Sequence, residues 1–204
     1  METVAFVSQK GGAGKSTLAA TIAALAASGG IKTAIIDLDP QASISAWHAS
    51  RDKEDITLIP SHPPLLAKQV AKLEKEGYQL TIIDTPPHNS TAAANAIAVS
   101  NYTVIPVRPS SFDLVAAQAT FDLLAGTGGL GGVVINAIPP GTKVEDQAAD
   151  FVTSSGFSVV GRIGQRIAFQ HATNQGQGVT EYEPSGQAAS EVIALWNELQ
   201  EVLC

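Results

Sequence analysis

The residues Gln9-Lys10-Gly11-Gly12-Ala13-Gly14-Lys15-Ser16-Thr17 bring small side chains, two lysines and two hydroxyls together between an apolar run and an Ala/Leu-rich segment. Small residues let backbone N–H groups curl around phosphate oxygens, and the N-terminus of a following helix adds partial positive charge. Lys15 is placed to reach the β- and γ-phosphates of ATP, and the Ser16 hydroxyl to coordinate Mg²⁺. Gly11, Gly12, Ala13, Gly14 and Thr17 complete the cradle. The strict pattern G-x-x-x-x-G-K-[ST] is not met, because Gln9 stands at its first glycine and Lys10 precedes two glycines. A dinucleotide fingerprint fits poorly, since Lys15 and Ser16 occupy positions where close helix packing wants small residues.

Two more stretches supply carboxylates. Ile35-Ile36-Asp37-Leu38-Asp39-Pro40-Gln41 ends an apolar run with two acids two residues apart, which point the same way at a strand's end. One suits orienting the attacking water, the other the Mg²⁺ shell or the P-loop hydroxyl. Leu80-Thr81-Ile82-Ile83-Asp84-Thr85-Pro86-Pro87 closes a third apolar run on Asp84, the arrangement that holds the metal in P-loop nucleotidases. His48, His62, His88 and His171 show no metal-ligand spacing.

These groups need strands to carry them and helices to cover the strands. The pattern predicts strands at 3–7, 33–37, 56–59, 80–84, 102–107, 131–136 and 158–160. It predicts helices at 15–28, 63–76, 91–100, 114–125, 143–155 and 186–203. The strands are continuous apolar runs, the mark of a parallel sheet covered on both faces. The expected class is α/β, a doubly wound, mostly parallel sheet with helices on both faces, read as a single domain over 1–204. Its ligand belongs at the carboxyl ends of the strands.

The phosphate loop with its extra lysine resembles the deviant Walker A box of the ParA/MinD family of ATPases, and Asp84-Thr85-Pro86-Pro87 is similar to that family's Walker B box. The resemblance covers essentially the whole chain. The short length and direct start at the first strand look like the small ParA proteins that lack an N-terminal DNA-binding domain. It implies a P-loop NTPase fold, an ATP-dependent homodimer and an adaptor protein on the cargo that stimulates slow hydrolysis. It assigns Lys10 to the partner protomer's nucleotide, Asp39 to positioning the water and Asp37 to a supporting role. The prolines after Asp84 would stiffen a loop that senses the γ-phosphate. Asn136 resembles the family's base-contacting Asn, or is an ordinary turn residue. Pro184, in the turn before the last helix, is placed to wall the base or the dimer interface. Residues 106–113 resemble a loop near the effector surface.

Composition narrows the partners. Net charge is −7, only 15% of residues are charged, and no Lys or Arg follows Arg166. Non-specific DNA binding rests on cations meeting phosphates. The candidates are Lys143, Arg162 and Arg166, with structural ion pairs as the competing role for the arginines. A MinD-like membrane role needs a basic amphipathic C-terminal helix. Residues 187–204 carry Glu191, Glu198 and Glu201 and no Lys or Arg, so no membrane partner is expected. A metabolic enzyme resembling dethiobiotin synthetase is the other alternative. One resembling the nitrogenase iron protein would need cluster cysteines that Cys204 alone cannot supply. The lone Cys204 and the absence of an apolar span or basic leader predict a cytoplasmic protein, free or nucleoid-associated.

Overall fold

The computed structural model describes residues 1–203; the reading of Cys204 as an unpaired thiol lies outside the described residues. One seven-stranded sheet runs through the chain: β1 (Glu2–Phe6), β2 (Thr33–Asp37), β3 (Ile56–Pro60), β4 (Leu80–Asp84), β5 (Tyr102–Val107), β6 (Gly131–Ile138) and β7 (Val159–Gly164). Its order is β3-β2-β4-β1-β5-β6-β7, and every pairing is parallel. The central strands β1, β2, β4 and β5 are buried on both faces, as their unbroken apolar runs require.

Alternate residues of each strand feed two cores. Val4, Phe6, Ile35 and Ile82 pack under α1 (Lys15–Ser28), α2 (Ser43–Ala49), α7 (Ile167–Asn174), α8 (Val179–Tyr182) and α9 (Gln187–Leu203). Ala5, Val7, Ala34, Ile36 and Ile83 pack under α3 (Leu66–Lys75), α4 (Ser90–Val99), α5 (Ser111–Thr127) and α6 (Val144–Ser154). Alanines at 19, 20, 23, 24 and 26 let α1 lie close on the sheet. A Cβ on Gly178 would come within 2.9 Å of the Ala24 Cβ, so the α7–α8 turn needs its glycine to pass α1.

Most expected elements are present within two or three residues. Three differences have local causes. α2 was not anticipated: it starts from Ala42 in the left-handed region (φ 54°) without a side-chain cap, and burial of Ile44 and Trp47 holds it. α7 and α8 were likewise not anticipated: they form because Ala168, Ala172 and Val179 find the α1–α9 core. β7 runs to Gly164, beyond the expected 158–160, because β6 and α9 flank it. No helix among the described residues is long and apolar enough to cross a membrane.

Arg51, at the end of α2, is the tie between α2 and α8. Its side chain is 1% exposed, and it bonds Glu181 at 2.7 Å and Asp55 at 2.7 Å. It also donates to the Gly176 carbonyl and lies over the Trp47 ring. Burial opposes the charge on Glu181. Hydrogen bonds from Arg51, Lys53 and the Gly178 N–H outweigh it and hold the carboxyl down to about 2, below its ordinary 4.5.

Breaking such a pair from one side costs about 3 kcal/mol, because the other charge stays buried. Glu181→Gln is therefore expected to lose about 3 kcal/mol in urea denaturation at neutral pH. A carboxyl with a depressed pKa stabilises fully above its unfolded value and loses that contribution as pH falls through its folded value. The gap between wild type and variant should narrow as pH drops below about 4.5 toward about 2; a gap independent of pH would show that Glu181 acts through packing alone.

Candidate functional site

The carboxyl ends of β1, β2 and β4 lie side by side, and the sequence places a chemical group on each. β1 runs into the loop at 8–14, β2 ends on Asp37 and β4 on Asp84, with Asp37 directly opposite Asp84 in the register. β1 sits where successive crossovers diverge, β4 on one side and β5 on the other, and such switch points open a crevice for ligands.

The loop is shaped for an anion. Gly12 and Gly14 have φ of 74° and 100°, a region that glycine enters without strain. A Cβ on Gly14 would lie 2.1 Å from the Asn136 Nδ2, whereas Gly11 and Gly12 have nothing within 4 Å on that side. The N–H groups of Gly11, Gly12, Ala13 and Gly14 have no hydrogen-bond partner among the described residues. No side chain caps α1 either. Unsatisfied donors at a helix N-terminus are an anion site.

Ser16 and Asp84 close the metal side. The Ser16 hydroxyl donates to Asp84 Oδ2 at 2.6 Å. Asp84 is fully buried, and its other oxygen, Oδ1, has no partner. Burial pushes its carboxyl up to about 7, with the Ser16 bond pulling the other way and Asp37 reinforcing the rise. An orphaned, buried carboxylate oxygen beside a serine hydroxyl fits a divalent cation, so Ser16 and Asp84 would hold Mg²⁺. Lys15 is buried as well. Desolvation lowers its pKa, and the nearby charges of Asp84 and Asp39 work against that.

The paired acids after β2 do not act alike. Asp37 is buried, with Oδ1 accepting the Asp39 N–H at 3.0 Å and Oδ2 the Ser45 hydroxyl at 2.7 Å. The P-loop hydroxyl is thus held by Asp84, and Asp37 instead fixes the turn and the start of α2. Asp39 is only partly buried, accepts the Gln41 N–H at 2.9 Å through Oδ1, and lies close enough to Lys15 for its charge to act there. Ser45 is a positioning residue visible only once α2 is known.

Beyond β4, the Thr85 hydroxyl donates to the Phe6 carbonyl at 2.8 Å, and the His88 N–H to the Gln9 carbonyl at 3.2 Å. His88 has φ of 55°, a strained value for a non-glycine residue. The Gln9 N–H in turn donates to Thr120 of α5. The proline loop therefore touches the phosphate loop directly.

Asn136 donates from Nδ2 to the Ala13 carbonyl at 2.7 Å, and it lines a cavity of about 320 Å³ with Gly12, Gly14 and Thr17. Arg108, Gln165, Arg166 and Phe169 share that cavity. No sequence pattern marked Gln165 or Phe169 for it. Pro184 is exposed in the turn before α9 and is not among the residues around this cavity. Lys10 is 43% exposed, and its Nζ lies 3.7 Å from Asp113 of α5. Of the three candidate DNA contacts, Arg166 is bound to Glu191 (Nε to Oε2, 3.0 Å), while Arg162 and Lys143 are exposed.

Asp84 yields a two-sided expectation. An acid whose folded pKa is raised costs stability as pH climbs from its unfolded value, about 3.8, to its folded value, about 7. Asp84→Asn removes that cost. The nucleotide-free variant should melt higher than wild type at about pH 8, by about 2–4 °C for each kcal/mol relieved, while losing Mg·ATP affinity. A lower melting temperature at that pH would show that the chain itself satisfies the carboxylate.

Comparison with known proteins bears on the family and the fold. The family model described as the CobQ/CobB/MinD/ParA nucleotide binding domain matches residues 4–179. The chromosome-partitioning ATPase Soj of Thermus thermophilus is 29% identical over 54% of this chain and 56% of its own length. The maintenance of carboxysome distribution protein A of Halothiobacillus neapolitanus is 24% identical over 97% of this chain and 95% of its own. Among solved structures, the ATP complex of McdA from Cyanothece superposes with a TM-score of 0.85 at 18% identity, over 100% of this chain and 96% of that one. With a matching model over most of its length and a phosphate loop, Ser16–Asp84 pair and sheet order to account for it, the chain belongs to the CobQ/CobB/MinD/ParA nucleotide-binding family.

Proposed function

We propose that this protein is an Mg²⁺-dependent ATPase that works as a dimerising switch for partition or intracellular positioning of cargo. Lys10 carries the reading. Its own chain already supplies Lys15 to the phosphates, and Lys10 instead stands half-exposed at the ligand edge, held only loosely by Asp113. A second lysine so placed is free to swing onto the nucleotide of a facing protomer. Phosphate charge then joins the two copies, and ATP joins them better than ADP.

Within one protomer the roles divide as follows. The free N–H groups of Gly11 to Gly14 and the Lys15 ammonium bind the phosphates. Bound Mg²⁺ supplies charge neutralisation at the phosphate oxygens. Asp39, near Lys15 and with an oxygen to spare, orients the attacking water. Asp37 holds the Asp39 turn in place through its two hydrogen bonds. Asn136 and the cavity behind it take the adenine side. A cargo adaptor is the natural trigger of hydrolysis. Phe112 and Val115 on α5, 85% and 70% exposed, put apolar surface beside the Lys10–Asp113 contact where an adaptor would be felt.

Three substitutions test this division. Lys15→Ala should abolish Mg·ATP binding by calorimetry. Asp39→Ala should keep ATP bound and lose at least about two decades of turnover, each decade being about 1.4 kcal/mol of barrier. Size exclusion with light scattering should then show that variant dimeric with ATP and monomeric with ADP. Adding Lys10→Ala should cost no more than about tenfold in ATP affinity yet abolish the ATP-dependent dimer. A dimer that forms without nucleotide, or survives Lys10→Ala, would refute the crossed lysine and point to a metabolic enzyme.

A further inference from the structure

The turn that joins β7 to α7 is held by a residue that belongs to neither element. The Gly164 N–H and the Arg166 side chain both donate to Glu191 of α9, 27 and 25 residues further on. The Gly164 N–H reaches Oε2 at 3.0 Å, and Arg166 grips the same carboxylate twice, Nε to Oε2 at 3.0 Å and Nη2 to Oε1. Between them, the Gln165 N–H donates to the Ile138 carbonyl of β6 at 2.7 Å. A planar guanidinium bound in two places to one carboxylate has a fixed orientation. Gly164 shows which: a Cβ there would lie 2.8, 2.9 and 3.0 Å from Nη2, Cζ and Nε, so the guanidinium plane lies flat across the bare α-carbon.

This guanidinium is a partition. Gly164 and Arg166 line both the cavity of about 320 Å³ behind Asn136 and an outer cavity of about 430 Å³, which Arg162 and Glu145 also line. Glu191 lines the outer cavity and not the inner one, so it acts on the inner cavity only through Arg166 and the turn. The same turn opens α7, which no side chain caps, and Phe169 in the first turn of α7 also lines the inner cavity. Packing does not require the Arg166–Glu191 pair. Buried Val192, Leu195 and Leu199 already hold α9, and Ala168 and Ala172 hold α7. What the pair adds is the orientation of a flat cationic face, and such a face stacks on a flat π-system.

We propose that Glu191 is a positioning residue for nucleobase binding: it fixes Arg166 as the wall against which a purine ring stacks. The inference rests on the reading above that the inner cavity takes the adenine side. Without the Glu191 carboxylate, the guanidinium is free to swing into the outer cavity, the two cavities merge, and the base loses one face of its enclosure. A pyrimidine, with a single ring, has less stacking surface to lose. Glu191 thereby sets the preference for a purine nucleotide from outside the cavity that holds it. That role occupies the Arg166 guanidinium, which the sequence alone offered to DNA.

The test measures Mg·ATP and Mg·CTP affinity by calorimetry on the full chain carrying Asp39→Ala, so that nucleotide is not consumed. This parent should bind ATP more tightly than CTP. Glu191→Ala should lose about tenfold in ATP affinity and less than about threefold in CTP affinity. Arg166→Lys keeps the charge but not the flat fork, and it should show the same selective loss. The double variant should be no worse than the weaker single one, because the two residues act as a unit. Glu191→Gln keeps an acceptor for the Gly164 N–H and should fall between the parent and Glu191→Ala. An ATP preference that survives both Glu191→Ala and Arg166→Lys, or ATP and CTP affinities that fall equally, would overturn the inference. Asn136→Ala separates it from the reading beneath it. Loss of the ATP preference in Asn136→Ala alone keeps the base in this cavity and rejects the Glu191 wall. A preference unchanged in every variant, or a parent that binds ATP and CTP alike, rejects the wall and the adenine reading of the cavity together.

Discussion

The hydrogen bond from Ser16 to Asp84 is the contact on which the site depends. It joins the first turn of α1 to the end of a strand buried on both faces. A carboxylate there is costly unless something meets it, because the low dielectric of a dry sheet penalises unpaired charge. Ser16 satisfies one oxygen and leaves the other orphaned. The nucleotide-free protein thus carries a stored deficit at a position where a bound cation would relieve it. That local cost is the opposite of what packing alone would select, and it marks β4's end as a site built for chemistry.

The sheet makes such a deficit tolerable. Parallel pairing sets Asp37 opposite Asp84, so two carboxylates would repel across adjacent strands if both faced the same space. The fold separates them by giving Asp37 its own donors, the Asp39 N–H and the Ser45 hydroxyl. α2 exists in part to supply that serine. Its far end is then fixed by Arg51 to α8, so the acids after β2 are braced through a buried ion cluster to the other side of the same core.

Charge is distributed with the same economy. The interior holds Arg51 and Glu181 as a pair, and the β7–α9 corner matches Arg166 with Glu191. On a chain of net charge −7, cations left without firm partners are few. Lys68 and Lys75 on α3 are among them, with Arg108, Lys143 and Arg162 elsewhere on the surface, and Lys10 at the ligand edge has only Asp113, at 3.7 Å.

The sequence by itself determined the parallel α/β architecture, the phosphate loop and the three acids, because each is a local pattern. Apolar runs of fixed length mark buried strands, and glycines beside Lys-Ser mark the turn into α1. Asp84 at the end of Leu80–Ile83 was legible for the same reason, being one position past a strand that its own residues specify. What distinguished Asp84 from Asp37 was not legible. Both are strand-terminal acids after an Ile-Ile pair, and only the fold brings Ser16 to one and Ser45 to the other, across 68 and 8 residues. The cavity behind Asn136 also needed the tertiary structure, since Gln165 reaches it from just ahead of α7 and Phe169 from within α7, an element held by core contacts rather than by its own pattern. Charge followed the same rule: spacing shows where lysines align on a helix, but whether an arginine is free or bound to a glutamate 25 residues away, as Arg166 is to Glu191, is settled only when distant segments meet.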